Sequence, residues 1–157
     1  MADARVLKIL LDDVLVGHLT GFQDGKNLFA FDESYINLGP SRPILSLSFN
    51  MPGDEETTER KLREVYSSRM KLPPIFSNLL PEGVLREYMV KRLKIHHDHE
   101  FDILMALGGS LPGAIRALPA GDLLGWAFQS TASKAIAYRL RRYADALFAA
   151  SGRTRLA

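Results

Sequence analysis

Along this chain the spacing of apolar residues changes once, and that change limits the fold to a combination of sheet and helix. Over residues 5–31 apolar side chains recur at every second position, which is the period of a strand with one or two buried faces. From Leu72 onward the spacing is about 3.6 residues, the period of a helix packed on a core. The sequence therefore predicts an α+β fold, in which a small antiparallel or mixed sheet carries several short helices.

Turn residues divide the first part of the chain into three strands. Asp12-Asp13 separates the first two, and the polar segment 23–26, which contains an Asp-Gly pair, precedes the third. His18 falls in the second strand, at a position expected to be half-exposed. After the third strand, Asp32-Glu33-Ser34 is placed to cap a short helical turn through Tyr35 and Ile36, which Gly39-Pro40 would end.

Two further strands are predicted later in the chain. Residues 43–49 alternate apolar residues with Ser46 and Ser48, as an edge strand does when one side packs on a core. Residues 50–60 are acidic and show no periodicity, so a loop is expected there. Residues 113–119 return to an extended pattern and are expected to add the last strand.

Proline and glycine bound three predicted helices. A short turn spans 73–80, a second helix opens at Pro81, and a third runs over 101–107. Gly108-Gly109 is expected to end the third helix in the left-handed conformation that glycine adopts without a Cβ penalty. The buried stripe of the second helix is expected to consist of Leu85, Met89 and Leu93.

Charge divides the 157 residues into two parts. Residues 1–120, the predicted domain, hold 14 Lys/Arg against 16 Asp/Glu, whereas residues 121–157 hold 6 against 2. This basic C-terminal extension has an apolar stripe that predicts a helix over 132–150. Because the domain lacks the excess of Lys and Arg that neutralises phosphates, direct contact with nucleic acid is expected from the extension or not at all.

The chain contains no cysteine, which excludes disulfides and thiolate metal or redox sites and favours a cytoplasmic location. Its first apolar run is short and is interrupted by Lys8, so it is typical of neither a signal peptide nor a membrane span. No membrane contact is expected.

Two motifs carry a family resemblance. Phe76–Gly83 reads FSNLLPEG and resembles the pattern F-x-N-L-L-P-E-G; residues 107–114 read LGGSLPGA and resemble L-G-G-D-x-x-G-A, with Ser110 where an acidic residue is commoner. Together with the order of strands and helices over residues 5–119, they resemble the N-terminal subdomain of the HipA family of bacterial serine/threonine kinase toxins.

The resemblance implies a role, because in that family a much longer kinase core follows this subdomain, and the residues after Pro119 are too few to hold one. A separate copy resembles the HipS antitoxins of tripartite HipBST systems. In those systems the subdomain inhibits a separately encoded kinase, HipT, beside a helix-turn-helix DNA-binding protein, HipB. The implied function is neutralisation of a HipT/HipA-type kinase by direct contact. The alternative is a truncated, catalytically inert fragment of such a kinase.

No catalytic constellation, cofactor or metal is predicted. The glycines of 108–113 lack the spacing of a dinucleotide fingerprint and the Gly-Lys-Ser/Thr of a P-loop. Residues 96–100, HHDHE, have metal-ligating side chains, but adjacent residues point in different directions and no second cluster completes a coordination sphere. A solvated connection between helices is the favoured interpretation of this run, and a binding protein rather than an enzyme is expected.

A partner-binding surface is expected beside the predicted edge strand and the apolar turn at 75–80. The apolar residues of that turn, which are Ile75, Phe76, Leu79 and Leu80, are expected to be core. Polar residues near them are the better contact candidates. The predicted contact residues are Ser46, Ser48, Ser77, Asn78, Glu82 and Arg86.

Overall fold

A five-stranded antiparallel sheet organises residues 4–122, the part of the chain that the computed structural model describes. The strands follow the order β4-β3-β2-β1-β5 across the sheet, and each neighbouring pair is antiparallel. They are β1 (Ala4–Leu11), β2 (Val14–Phe22), β3 (Lys26–Phe31), β4 (Val65–Arg69) and β5 (Ile115–Asp122). The predicted α+β class is confirmed, as are the first three strands and the last.

Short helices pack against one face of this sheet. They are α1 (Glu33–Ile36), α2 (Glu55–Leu62), α3 (Pro74–Ser77), α4 (Gly83–Leu93) and α5 (Glu100–Leu107). The core between them and the sheet is aromatic at its centre, where Phe29 meets Phe31 and Phe76 at 4.8 Å between ring centroids. Asp32 caps α1 as predicted, since its Oδ1 accepts the backbone N–H of Ser34 at 2.9 Å.

The opposite face of the sheet places His18 between Lys8 of β1 and Ala30 of β3. The expectation of a half-exposed histidine is wrong, because His18 is 0% exposed. Burial disfavours the charged imidazolium and lowers the pKa of His18 to about 4, although Asp32, with Oδ2 at 3.9 Å from Nδ1, acts in the opposite direction. The histidine is therefore neutral near pH 7.

The predicted edge strand at 43–49 is wrong, and the predicted loop at 50–60 is confirmed only for residues 50–54. Residues 43–50 are irregular, with a turn at 47–49, and Ser46 Oγ accepts the Ser48 backbone N–H at 3.2 Å, so local bonds replace a strand ladder. Residues 55–62 form α2, whose N-cap is Asp54. The carboxylate of Asp54 accepts the Thr57 N–H at 2.9 Å, and acidic residues in a first helical turn favour the helix dipole. The two edge strands of the sheet are instead β4 and β5.

Gly108 is in the right-handed conformation, with φ −35°, so the predicted left-handed cap is wrong. The glycine is needed because the end of α5 lies very close to the backbone of β5. The backbone N–H of Ala117 in β5 donates to the Gly108 carbonyl at 2.8 Å, and a Cβ at position 108 would lie 1.9 Å from the Ala117 oxygen. A glycine here lets the end of α5 contact the backbone of β5 directly.

The predicted helix at 132–150 lies outside the described residues, as does nearly all of the basic extension. Within residues 4–122, no helix is both long enough and apolar enough to cross a membrane.

Candidate functional site

The FSNLLPEG motif forms α3 and the start of α4, and its residues have structural reasons to be there. Phe76 and Leu80 are buried in the core, as predicted, whereas Ile75 and Leu79 pack against it while partly exposed. Gly83 has φ +60°, a conformation in which a side chain would be strained. The motif therefore anchors a sharp connection between two helices and leaves the polar residues between them at the surface.

Arg86 is buried rather than exposed, and its guanidinium is used within the chain. Nη2 donates to Glu100 Oε1 and to the His97 carbonyl, both at 3.0 Å. The other carboxylate oxygen of Glu100 accepts the Leu72 backbone N–H at 2.8 Å. This network of charge-assisted hydrogen bonds joins α4, the first turn of α5 and the segment before α3. Its effect is to position α4, and little of Arg86 is accessible to a partner.

The inward face of α4 is centred on Arg86, so the predicted stripe of Leu85, Met89 and Leu93 is not the buried face. Leu85 is exposed, whereas Met89 is only partly buried, next to Val90. The sequence could not distinguish these faces, because apolar residues occur all round the helix. That Arg86 is the buried residue among them becomes evident only from its pairing with Glu100 in the folded structure.

Of the predicted contact residues, Asn78 and Glu82 are exposed and Ser77 is half-buried. Asn78 is the C-cap residue of α3 and Glu82 the N-cap residue of α4, so the structure places both at the α3–α4 connection. Ser46 and Ser48 lie instead in the irregular segment 43–50, with Ser46 half-buried and Ser48 exposed. Their contact with a partner stays a prediction.

The histidine run connects α4 to α5. His96 and His97 are exposed and lie near Asp98, with Nδ1 to carboxylate-oxygen distances of 3.9 and 3.7 Å. His99 Nδ1 likewise lies 3.7 Å from Asp102 Oδ2. Across residues 4–122 no group of three or more His, Asp or Glu side chains is arranged to hold a metal ion. Two members of the run 96–100 contribute to the fold: the His97 carbonyl and the buried Glu100 carboxylate both accept from Arg86.

The five-stranded sheet and the helices on one of its faces define a small α+β domain, and comparison with known proteins identifies its type. The family model for the HipA N-terminal domain matches residues 7–118. This chain belongs to that family.

Two relatives from Sinorhizobium fredii are much longer than the match. A protein named "Putative kinase Y4dM" is 43% identical over 123 residues, which are 78% of this chain and 29% of that relative. A protein named "Putative kinase Y4mE" is 31% identical over 115 residues, which are 73% of this chain and 24% of that relative. The chain thus spans less than a third of the length of each relative.

Proposed function

We propose that this chain is an antitoxin-like binding protein, which neutralises a separately encoded serine/threonine kinase of the HipT/HipA type by direct contact. The observation that carries the proposal is the match itself: the family domain covers residues 7–118, while the relatives named as kinases extend far beyond the matched region. No catalytic residue and no cofactor is part of the proposal.

The physical basis is the surface that such a domain must have. More than two-thirds of each relative lies outside the match. We expect the matching domain of such a relative to have an interface with the rest of its own chain, as domains of one chain commonly do. A copy supplied separately carries the same kind of surface and can bind the kinase in trans. Binding at or near the active site would then hold the kinase inactive. Asn78 and Glu82 are contact candidates because both are exposed at one helix connection.

The proposed partners are the kinase and, beside it, a HipB-like helix-turn-helix protein that binds DNA. The proposed location is the cytoplasm. Any direct contact with nucleic acid is assigned to the basic extension at 121–157, since residues 1–120 have no excess of positive charge.

The test is rescue of growth. The proposal requires an intact gene for a HipT-type kinase beside the gene for this chain. The chain is co-expressed with that kinase in cells that the kinase arrests, and the purified proteins are passed together over a size-exclusion column. We expect growth to recover and the two proteins to co-elute. An inert kinase fragment would give neither result, so continued arrest together with separate elution would show that the proposal is wrong.

A further inference from the structure

The outward side of α4 is unusually apolar. Among residues 4–122, three of the five most exposed large apolar side chains lie on this one helix: Val84 is 83% exposed, Leu85 58% and Tyr88 57%. Single exposed apolar residues are common on soluble proteins and need no explanation. Three within five consecutive positions of one helix form a continuous patch, which we name the α4 face.

Helix geometry places a basic group at one end of this patch. At about 100° per residue, Tyr88 and Leu85 lie about 40° and 100° round the axis from Val84, and Arg86 lies about 200° away, on the buried side. Lys91 and Arg92, both exposed, fall within or close to the arc of the α4 face, one turn further along. The surface is therefore apolar in its first turns and positively charged in its last.

The hydrogen bonds of Arg86 explain why the α4 face points outward. Arg86 is the residue of α4 that is buried, and its bonds to Glu100 and to the His97 carbonyl hold the helix with the opposite side outward. Rotating α4 to bury the α4 face would remove the guanidinium from Glu100 and leave that carboxylate without its counter-charge, which is costly in a buried site. The chain thus keeps three large apolar side chains in water.

We propose that the α4 face is the surface through which this domain docks on its kinase, in an apolar groove rimmed by acidic side chains. The inference rests on the proposed function. Charge complementarity selects the acidic rim, because Lys91 and Arg92 continue the apolar patch. The relatives supply the kind of partner, since most of each lies outside the match with this domain. Of the exposed contact candidates, Glu82 is the N-cap residue of α4, and Asn78 lies four residues before it in the same helix connection.

The experiment compares two double variants that each remove two exposed apolar side chains. V84S/Y88S alters the α4 face; L38S/L118S, the control, alters side chains that are 43% and 36% exposed on segments that hold none of the predicted contact residues. Affinity for a kinase-inactive form of the HipT-type kinase is measured by calorimetry. We expect the Kd of V84S/Y88S to rise on the order of 30-fold or more, as for central interface anchors, with loss of growth rescue. The control should bind within about twofold of the original chain.

Circular dichroism and the urea midpoint of each variant exclude a folding defect, which is not expected because the altered side chains are exposed. In addition, K91E/R92E should slow association and weaken its dependence on salt.

The possible results separate the two proposals. If the original chain neither binds nor rescues, the proposed function fails, and the docking surface fails with it. If the original chain does both and V84S/Y88S still binds within about twofold, the docking surface alone is wrong.

Two other occupants of the α4 face are tested on the chain by itself. Sedimentation velocity would reveal a dimer that V84S/Y88S dissociates, and flotation with vesicles of mixed phosphatidylcholine and phosphatidylserine would reveal membrane binding that V84S/Y88S abolishes. Either result would overturn kinase docking as the role of this surface. A monomer that does not float supports it.

Discussion

Removing the guanidinium of Arg86 should destabilise the domain strongly, although the residue lies on a surface helix. Its side chain is 10% exposed and that of Glu100 is 3% exposed, with 3.0 Å between Nη2 and Oε1. Loss of one member of a buried pair costs about 3–5 kcal/mol, because the other charge is left in a poorly solvated site. Glu100 would keep its bond from the Leu72 N–H, which favours the lower end of that range.

We therefore expect R86M, which retains the apolar stem of the side chain, to lower the free energy of unfolding by about 3 kcal/mol. For a chain of this length, that corresponds to a fall in melting temperature of about 6–12 °C. The assay is urea unfolding followed by circular dichroism at pH 7. R92M removes an exposed cation from the same helix and should change the free energy of unfolding by no more than about 0.5 kcal/mol.

The double variant R86M/E100Q tests the mechanism. A neutral glutamine needs no counter-charge and still offers an oxygen to the Leu72 N–H, so the double variant should cost at least about 1 kcal/mol less than the two single changes added together. Additive effects, or a cost below about 1 kcal/mol for R86M alone, would refute a charge network as the element that positions α4.

Two further predictions concern the burial of His18 and the close approach at Gly108. Burial lowers the pKa of His18 from 6.5 to about 4. Between these two pH values the imidazole is therefore protonated in the unfolded chain and neutral in the folded chain. The free energy of unfolding should therefore fall by up to about 3 kcal/mol as the pH drops from above 6.5 toward 4. When unfolding is measured at several pH values, the free energy should depend less steeply on pH in H18L. The pH dependence should be unchanged in H96Q, which removes an exposed histidine. G108A should lower the free energy of unfolding by about 2 kcal/mol or more, because its Cβ would overlap the Ala117 oxygen. G109A has open space around the added Cβ and should be close to neutral, so similar midpoints for the two variants would contradict the close approach of α5 to β5.

Much of the fold could be read from local pattern. The alternation of β1 to β3, the Asp-Gly turn with Gly25 at φ +81° and the cap at Asp32 are properties of a few neighbouring residues, and the structure contains all of them. The strand predictions were wrong where the local sequence pattern was weak or misleading. Residues 43–49 alternate well but are irregular, whereas β4 has an unremarkable sequence and exists because it pairs with β3, with Tyr66 opposite Phe29.

The candidate surface was only partly accessible to such reasoning. Asn78 and Glu82 are at the surface as expected from their place in a polar connection, but Arg86 belongs to the interior. Val84 and Tyr88 had no signal that separated them from core residues, since apolar side chains occur all round α4. Their exposure follows from which side of the helix Arg86 occupies.

The amino-acid sequence alone determined the α+β class, the chain order of most elements and, through two motifs, the family to which the domain belongs. These are encoded by short-range periods, turn residues and caps, each of which acts over a few positions. The tertiary structure decided that residues 65–69, rather than 43–49, form a strand at the edge of the sheet, that His18 is buried, and which side of α4 faces water. Those properties depend on contacts such as Arg86 with Glu100 and Leu72 with Glu100, which join residues 14 and 28 positions apart. No local pattern specifies the partner of a buried charge, and that partner is what turns the α4 face outward.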